Sequence, residues 1–276
     1  MRSRSRGGGR IFGLLVAVCA AITLVVPLAG SSIASAATAK RIVYYGDSLL
    51  NEAHWQIEAE YSTKPTWILS EAIQSGIPLC NLIPAIQENI ATLHPYRIVV
   101  ETFGNVGTSC AVDGEGNPVV FGSPEWLTLY QQNYETILNM TDAAGVRVTL
   151  VESPMTSTPG LNDAETSLNA LMLSEAGAHH KVSVAPGPVH SIEKNGAYTL
   201  TKSCTAAEKA DPNSGCGTPK KGQIIVRAPD GVHFCPVGYP DGSDGEEPCA
   251  VYSSGAIRYG NAMVTAGTAP PAPIMP

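Results

Sequence analysis

The chain has few aromatic residues and little clustered positive charge, and these shortages exclude several classes of protein. Phe, Trp and Tyr make up 6% of its 276 residues. With four Phe and three Trp, the composition offers no exposed apolar rim for work at a membrane surface. Acidic residues outnumber basic ones by 24 to 17. Because binding a phosphate backbone needs clustered Lys and Arg, nucleic acid is not an expected partner.

Cysteine is also sparse, and its pattern favours disulfides over a metal site. No C-x-x-C or H-x₃-H spacing of a zinc site occurs, so no metal is expected. Without Cys19, which lies in the N-terminal segment, an even number of cysteines remains, as is typical of disulfides in exported proteins. Sequence alone does not decide how they pair. Short loops favour the pairs Cys204–Cys216 and Cys235–Cys249. The two cysteines that remain would then form Cys80–Cys110.

The first 39 residues have the pattern of a signal peptide. A basic start without acidic residues precedes the apolar run Ile11–Leu28. Two signal-peptidase motifs follow, Ala34-Ser35-Ala36 and Ala37-Thr38-Ala39. We therefore expect cleavage and a secreted or cell-envelope protein. Because the apolar run is slightly long for a signal, an uncleaved membrane anchor is the alternative, and membrane contact is expected in that case alone.

Beyond this segment, apolar β-branched runs alternate with longer amphipathic stretches, the pattern of a parallel sheet covered by helices. The predicted strands are Arg41–Tyr45, Thr66–Leu69, Arg97–Thr102, Arg147–Val151 and Lys181–Ala185. The predicted helices are Asn51–Tyr61, Ile83–Leu93, Pro124–Ala144, Asn162–Ala176 and Ser254–Thr265. This order predicts one α/β domain over residues 40–267, a three-layer α/β/α sandwich on a five-stranded, mainly parallel sheet.

Three segments interrupt the pattern. Residues 106–123 are rich in Gly, Ser and Asp, and we expect a loop over the strand ends. Residues 190–222 carry Lys, Asp, Pro and Gly with two cysteines, which predicts a disulfide-tied excursion. The Pro-rich tail, residues 268–276, is expected to be unstructured.

A candidate nucleophile follows the first predicted strand, in Gly46-Asp47-Ser48-Leu49. Glycine permits a sharp turn, and Ser48 falls in the first turn of a helix at the carboxyl end of the strand. There the backbone N–H and the helix dipole favour developing negative charge. The alternative is that Asp47 or Ser48 caps the helix and does nothing else.

Asn105 follows another strong strand, in Phe103-Gly104-Asn105, and so lies at the same edge of the predicted sheet. A neutral amide is suited to donate an N–H to an oxyanion. The alternative is an Asn that adopts a left-handed turn after a strand.

The third motif is Asp230-Gly231-Val232-His233, near the C-terminus. A serine nucleophile needs a base, and an imidazole base needs a carboxylate to fix its tautomer. Asp and His three residues apart on a glycine turn are able to face one site. The chain has six histidines, and His233 is the one with such a companion.

Together these motifs resemble the SGNH (GDSL) hydrolase superfamily over about Arg41 to Gly260. Gly46-Asp47-Ser48-Leu49 is similar to the first block of the family, Gly104-Asn105 to the third, and Asp230–His233 to the last. Gly76 is the best match to the glycine of the second block, which supplies an oxyanion N–H. Val106 departs from the pattern, because family members commonly have Asp at this position. No G-x-S-x-G elbow of another serine-hydrolase fold occurs.

The resemblance implies a flavodoxin-like SGNH fold and an exported serine esterase that needs no cofactor. Its expected triad is Ser48, His233 and Asp230, and its oxyanion donors are Ser48, Gly76 and Asn105. The expected substrates are small acyl esters, O-acetyl or short-chain, on envelope glycans or lipids. Two alternatives stay open: an acyltransferase with the same triad, and a non-catalytic glycan- or envelope-binding protein on the same fold.

Overall fold

A computed structural model describes residues 39–236, 249 and 251–270. The predicted signal peptide up to residue 38 and the end of the Pro-rich tail, residues 271–276, lie outside the described residues. Among the described helices, none combines the length and the apolar character that crossing a bilayer requires.

The centre of the domain is a five-stranded sheet in which every pairing is parallel. The strands are β1 (Lys40–Gly46), β2 (Trp67–Ile73), β3 (Arg97–Val100), β4 (Arg147–Val151) and β5 (Val182–Ala185). Their order is β2-β1-β3-β4-β5, the doubly wound arrangement in which ligands bind beyond the carboxyl ends of the strands. The predicted fold class is thus confirmed.

Within the described residues, five long helices connect and cover these strands, and two short ones lie in the later part of the sequence. They are α1 (Ser48–Ser62), α2 (Ile83–Leu93), α3 (Pro124–Ala144), α4 (Pro159–Gly177), α5 (Gly187–Ile192), α6 (Ala206–Ala210) and α7 (Ser254–Thr268), with a 3₁₀ turn at Leu79–Asn81. Helix α1 begins three residues earlier than predicted and α7 ends three residues later, at Thr268.

The sheet separates two apolar cores, because side chains along a strand alternate between its faces. Val43 and Tyr45 of β1 join a core with α2, α3 and α4. Ile42 and Tyr44 join the opposite core with α1, α5 and α7. In β3, Ile98, Val99 and Val100 are almost completely buried, as expected for a strand covered on both faces.

Two strands differ from the prediction by more than one residue at one end. Strand β2 continues to Ile73 through Ser70-Glu71, because it pairs with β1 along its whole length. Strand β3 ends at Val100, two residues early. Residue 101 still donates a backbone hydrogen bond to Tyr45 O at 2.9 Å, so the extended chain follows β1 slightly beyond the strand.

The excursion predicted at residues 190–222 has structure of its own. Strands β6 (Thr201–Ser203) and β7 (Gln223–Ile225) form a small antiparallel sheet, which the sequence did not predict. The three disulfides are present as expected: Cys204–Cys216 and Cys235–Cys249, which the loop lengths favoured, and the remaining pair, Cys80–Cys110. The first of them ties the 3₁₀ turn to the predicted loop at residues 106–123, and the last closes a loop two residues after His233.

Candidate active site

Ser48 is the first residue of α1, directly after strand β1 and its cap. The carboxylate of Asp47 caps the helix, accepting from Leu49 N at 3.2 Å. Gly46 is required for space and not for an unusual φ: an added Cβ would lie 2.6 Å from Leu50 Cδ2 and 2.7 Å from Glu101 Oε2. The strand therefore runs into the helix without clash, and Ser48 emerges partly exposed at the edge of the sheet.

Ser48, His233 and Asp230 form a continuous hydrogen-bonded row. His233 Nε2 lies 2.9 Å from Ser48 Oγ, although 185 positions separate the two residues in the chain. On the other side of the ring, His233 Nδ1 lies 2.7 Å from Asp230 Oδ2. With Asp230 ionised, Nδ1 carries the proton and Nε2 faces the serine as an acceptor.

The turn that carries Asp230 and His233 is held by its own backbone. Asp230 Oδ1 accepts from Val232 N at 2.8 Å and from His233 N at 3.0 Å. Gly231 has φ +76°, and a Cβ there would collide with the side chain of Ser157. Its carbonyl accepts from Ser157 N at 3.1 Å. Glycine thus allows the turn to sit against the chain after β4, where the imidazole reaches Ser48.

Electrostatics favour a charged His233 beside an ionised Asp230. Burial lowers the pKa of His233, but the hydrogen bond with Asp230 and the charges of Glu52, Asp230 and Asp47 outweigh it and raise the pKa. Burial raises the pKa of Asp230, whereas its bonds to the His233 ring and to two backbone N–H groups hold that pKa well below its usual range. The pair is arranged to stabilise an imidazolium.

Asn105 is held beside Ser48 by Asp47. Its Nδ2 donates to Asp47 Oδ2 at 2.9 Å, and the same oxygen accepts from Phe103 N at 2.7 Å. The Asn105 carbonyl accepts from Tyr130 Oη at 2.9 Å. Since a side-chain amide has two N–H groups, one N–H remains available for another acceptor. Asp47 thus does more than cap a helix, a role that its sequence position alone did not indicate.

Gly76 lies in the turn after β2, the strand that pairs with β1. Its φ is +73°, and two residues earlier Gln74 N donates to Gly46 O at 3.1 Å. Its neighbour Ser75 accepts from Asn51 Nδ2 at 3.0 Å. This places the predicted second block at the same edge of the sheet as the serine.

Buried carboxylates beneath the serine were missed by the sequence reasoning. Glu101 and Glu165 are fully buried, and Glu101 Oε2 accepts from Asp47 N at 3.3 Å. Burial raises the pKa of both glutamates well above the usual range, and the charge of Asp47 adds to the effect. Burial raises the pKa of Asp47 too, but the hydrogen bonds that it accepts from Phe103 N and Leu49 N oppose this effect. We therefore assign the negative charge to Asp47 and a proton to Glu101. In the part of the chain that the structure describes, no group of three or more side chains is arranged to hold a metal.

A sequence model of the family described as "Protein of unknown function (DUF459)" matches residues 41–241. The chain belongs to this family. The match to this DUF459 family starts in β1 and includes Ser48, Asn105, Asp230 and His233. A comparison with functionally curated proteins finds no match to the sequence.

Among solved structures, the DUF459 chain is similar to LAE5, an α/β hydrolase enzyme from the metagenome of Lake Arreo, Spain. The TM-score is 0.50 at 12% identity, over 84% of this chain and 96% of that one. A lipase/acylhydrolase from Enterococcus faecalis matches with a TM-score of 0.48 at 13% identity, over 84% and 98% of the two chains. The SGNH-hydrolase family esterase AlinE4 matches with 0.42 at 16%, over 57% and 80%. The similarity to LAE5 agrees with the α/β fold described above.

Proposed function

We propose that this protein is an exported serine ester hydrolase of the SGNH type. The observation that carries the proposal is the row Ser48–His233–Asp230, with its 2.9 Å and 2.7 Å contacts at the carboxyl edge of the sheet. A nucleophile, a base and a carboxylate that orients the base are the parts required for acyl transfer through a serine.

In the first step, Ser48 Oγ attacks the ester carbonyl while His233 Nε2 takes the hydroxyl proton. The charge of Asp230 stabilises the imidazolium that forms. The tetrahedral intermediate then expels the alcohol, which takes the proton from His233, and Ser48 is left as an acyl ester.

The oxyanion of this intermediate requires donors placed in advance. We assign the backbone N–H of Ser48, in the first turn of α1, where helix N–H groups have no partner within the helix. We add the backbone N–H of Gly76 and the second N–H of Asn105. The bond from Asn105 to Asp47 supports this role, because it fixes the amide before a substrate arrives.

In the second step, water attacks the acyl ester with His233 again as base, and the acid is released. Exposure favours water over another acyl acceptor: 32% of the His233 side chain and 51% of the Asp230 side chain are accessible. A transferase has to keep water away from its acyl enzyme. We therefore favour hydrolysis, of small esters such as O-acetyl or short acyl groups on glycans or lipids.

Export is supported by the three disulfides, which are typical of proteins in oxidising compartments. Together with the signal-like N-terminal sequence, they support a site of action outside the cytosol, on small acyl esters of the cell envelope or its surroundings.

A fluorophosphonate probe, with the adduct located by peptide mass spectrometry, tests the proposal. We expect one labelled serine, Ser48, and loss of the label in Ser48→Ala. Ser62→Ala is the matched control, because Ser62 is exposed on the same helix, and it should label normally. A folded, disulfide-bonded protein without label at Ser48 would refute the enzyme and favour a binding role. If Ser48 is labelled, the unlabelled protein should then be screened on acetylated sugars and short p-nitrophenyl esters.

A further inference from the structure

The helix that begins at the nucleophile also holds the residue after the base. Glu52 lies one turn after Ser48 on α1, and the residue is 4% exposed. Its Oε2 accepts the backbone N–H of Phe234. A single carboxylate thus links the element that presents Ser48 to the peptide that follows His233.

Phe234 is fixed from a second direction as well. Its carbonyl accepts from the hydroxyl of Ser253, the cap of α7, at 2.8 Å. Its ring is fully buried and lies 4.9 Å from the ring of Tyr259. Because both polar groups of the Phe234 backbone are held, the adjoining His233 has little freedom to move away from Ser48.

Three carboxylates from different elements raise the pKa of His233 through their charges. Asp230 lies on the same turn, Asp47 precedes α1, and Glu52 lies within α1. Asp230 is half exposed, whereas Glu52 is buried. Solvent screens a buried charge less than a charge at the surface. The charge of Glu52 therefore acts more strongly on a cation at His233 than an equally distant charge at the surface would.

We propose that Glu52 is a positioning residue for the base: it fixes the peptide after His233, and its charge supports the imidazolium that forms when Ser48 is deprotonated. The inference rests on the proposed function, since it assigns His233 as the base. Glu52 is thus a fourth residue beside Ser48, His233 and Asp230, and its carboxylate touches neither the substrate nor the reacting atoms.

Two substitutions separate the two parts of this role. Glu52→Gln keeps the size of the side chain and an oxygen acceptor for Phe234 N, but it removes the charge. Glu52→Ala removes both. Glu58→Gln is the matched control, because Glu58 is an exposed carboxylate on the same helix.

The main readout is an NMR titration of His233 in the resting protein, which needs no substrate. In Glu52→Gln we expect the pKa of His233 to fall by about one unit, at the low end of the effect of a neighbouring charge, while Glu58→Gln leaves it unchanged. The rate of fluorophosphonate labelling on the pH plateau should fall several-fold in Glu52→Gln. In Glu52→Ala, where the peptide is also released, it should fall further, by about 10–100-fold.

A merely structural role predicts something else: lower thermal stability in both variants, with the titration of His233 and the plateau labelling rate of Glu52→Gln unchanged. That result would overturn the inference, and it stays readable in Glu52→Gln even if Glu52→Ala fails to fold. The two proposals also fail differently. A shifted titration in a protein without esterase activity refutes the hydrolase and keeps the coupling of Glu52 to His233. An active esterase in which Glu52→Gln leaves the pKa of His233 unchanged keeps the hydrolase and refutes the coupling of Glu52 to His233.

Discussion

The two halves of the candidate site are built in different ways. Ser48 sits where a central strand meets a long helix, and its place follows from the sheet order and from the capping carboxylate of Asp47. His233 sits on a turn outside the sheet, held by Asp230, by the close fit of Gly231 and by contacts from α1 and α7. The general fold positions the proposed nucleophile, whereas a few local contacts position the proposed base. We therefore expect substitutions around His233 to disturb the site without disturbing the fold, more so than substitutions around Ser48.

Asp230→Asn disturbs only the turn that carries His233, and it has the largest expected effect on turnover. The amide would favour the wrong tautomer of His233 and would remove the charge beside the imidazolium, so turnover of a short p-nitrophenyl ester should fall by about 10⁴-fold. Asp163→Asn, an exposed carboxylate on α4, removes the same charge and serves as control. Turnover within a few-fold of wild type in Asp230→Asn would show that the base works without this carboxylate.

Asn105→Ala disturbs the nucleophile half and is expected to have a smaller effect. Loss of one oxyanion donor should lower kcat by about 10²–10³-fold, with little change in the titration of His233, since the bonds of the base turn stay intact. Asn139→Ala, on the exposed side of α3, is the control. If kcat in Asn105→Ala stays close to wild type, the amide binds Asp47 and has no role in the reaction.

The pH dependence of kcat/KM is the smallest expected effect. It sharpens the contrast between the two halves of the site, because it reports on His233 and not on Ser48. In the proposed mechanism His233 acts as base in its neutral form, and its pKa is raised. We therefore expect kcat/KM to fall about tenfold per pH unit below that pKa. The midpoint of this acid limb is expected above about 6.5, the ordinary value for histidine. A profile of kcat/KM from acid to neutral pH measures it, and a midpoint below the ordinary value would contradict the assigned electrostatics.

The same contrast separates what was predictable from the sequence from what was not. Runs such as Ile98-Val99-Val100 predicted the buried strands, because a strand covered on both faces is apolar throughout. Ser48 and His233 were found from short motifs. Strands β6 and β7 have three residues each, too few for a periodic pattern to appear.

The buried acids were missed for a different reason. Glu52, Glu101 and Glu165 are ordinary surface residues by type, and their burial depends on neighbours far away in the chain. Glu52 meets Phe234 across 182 positions, for example. The one local signal was Glu101, a carboxylate directly after an apolar strand. The links of Asp47 to Asn105 and of Glu52 to Phe234 become visible in three dimensions alone.

The 185 positions between Ser48 and His233 also bear on when the molecule becomes reactive. During synthesis, the serine and its strand emerge early, whereas the imidazole and the helix that anchors its turn emerge near the end. A nascent chain that has not reached His233 carries an ordinary alcohol at Ser48. In the proposed mechanism, Ser48 therefore becomes reactive when the histidine turn reaches it, and a chain truncated before His233 is expected to be inert.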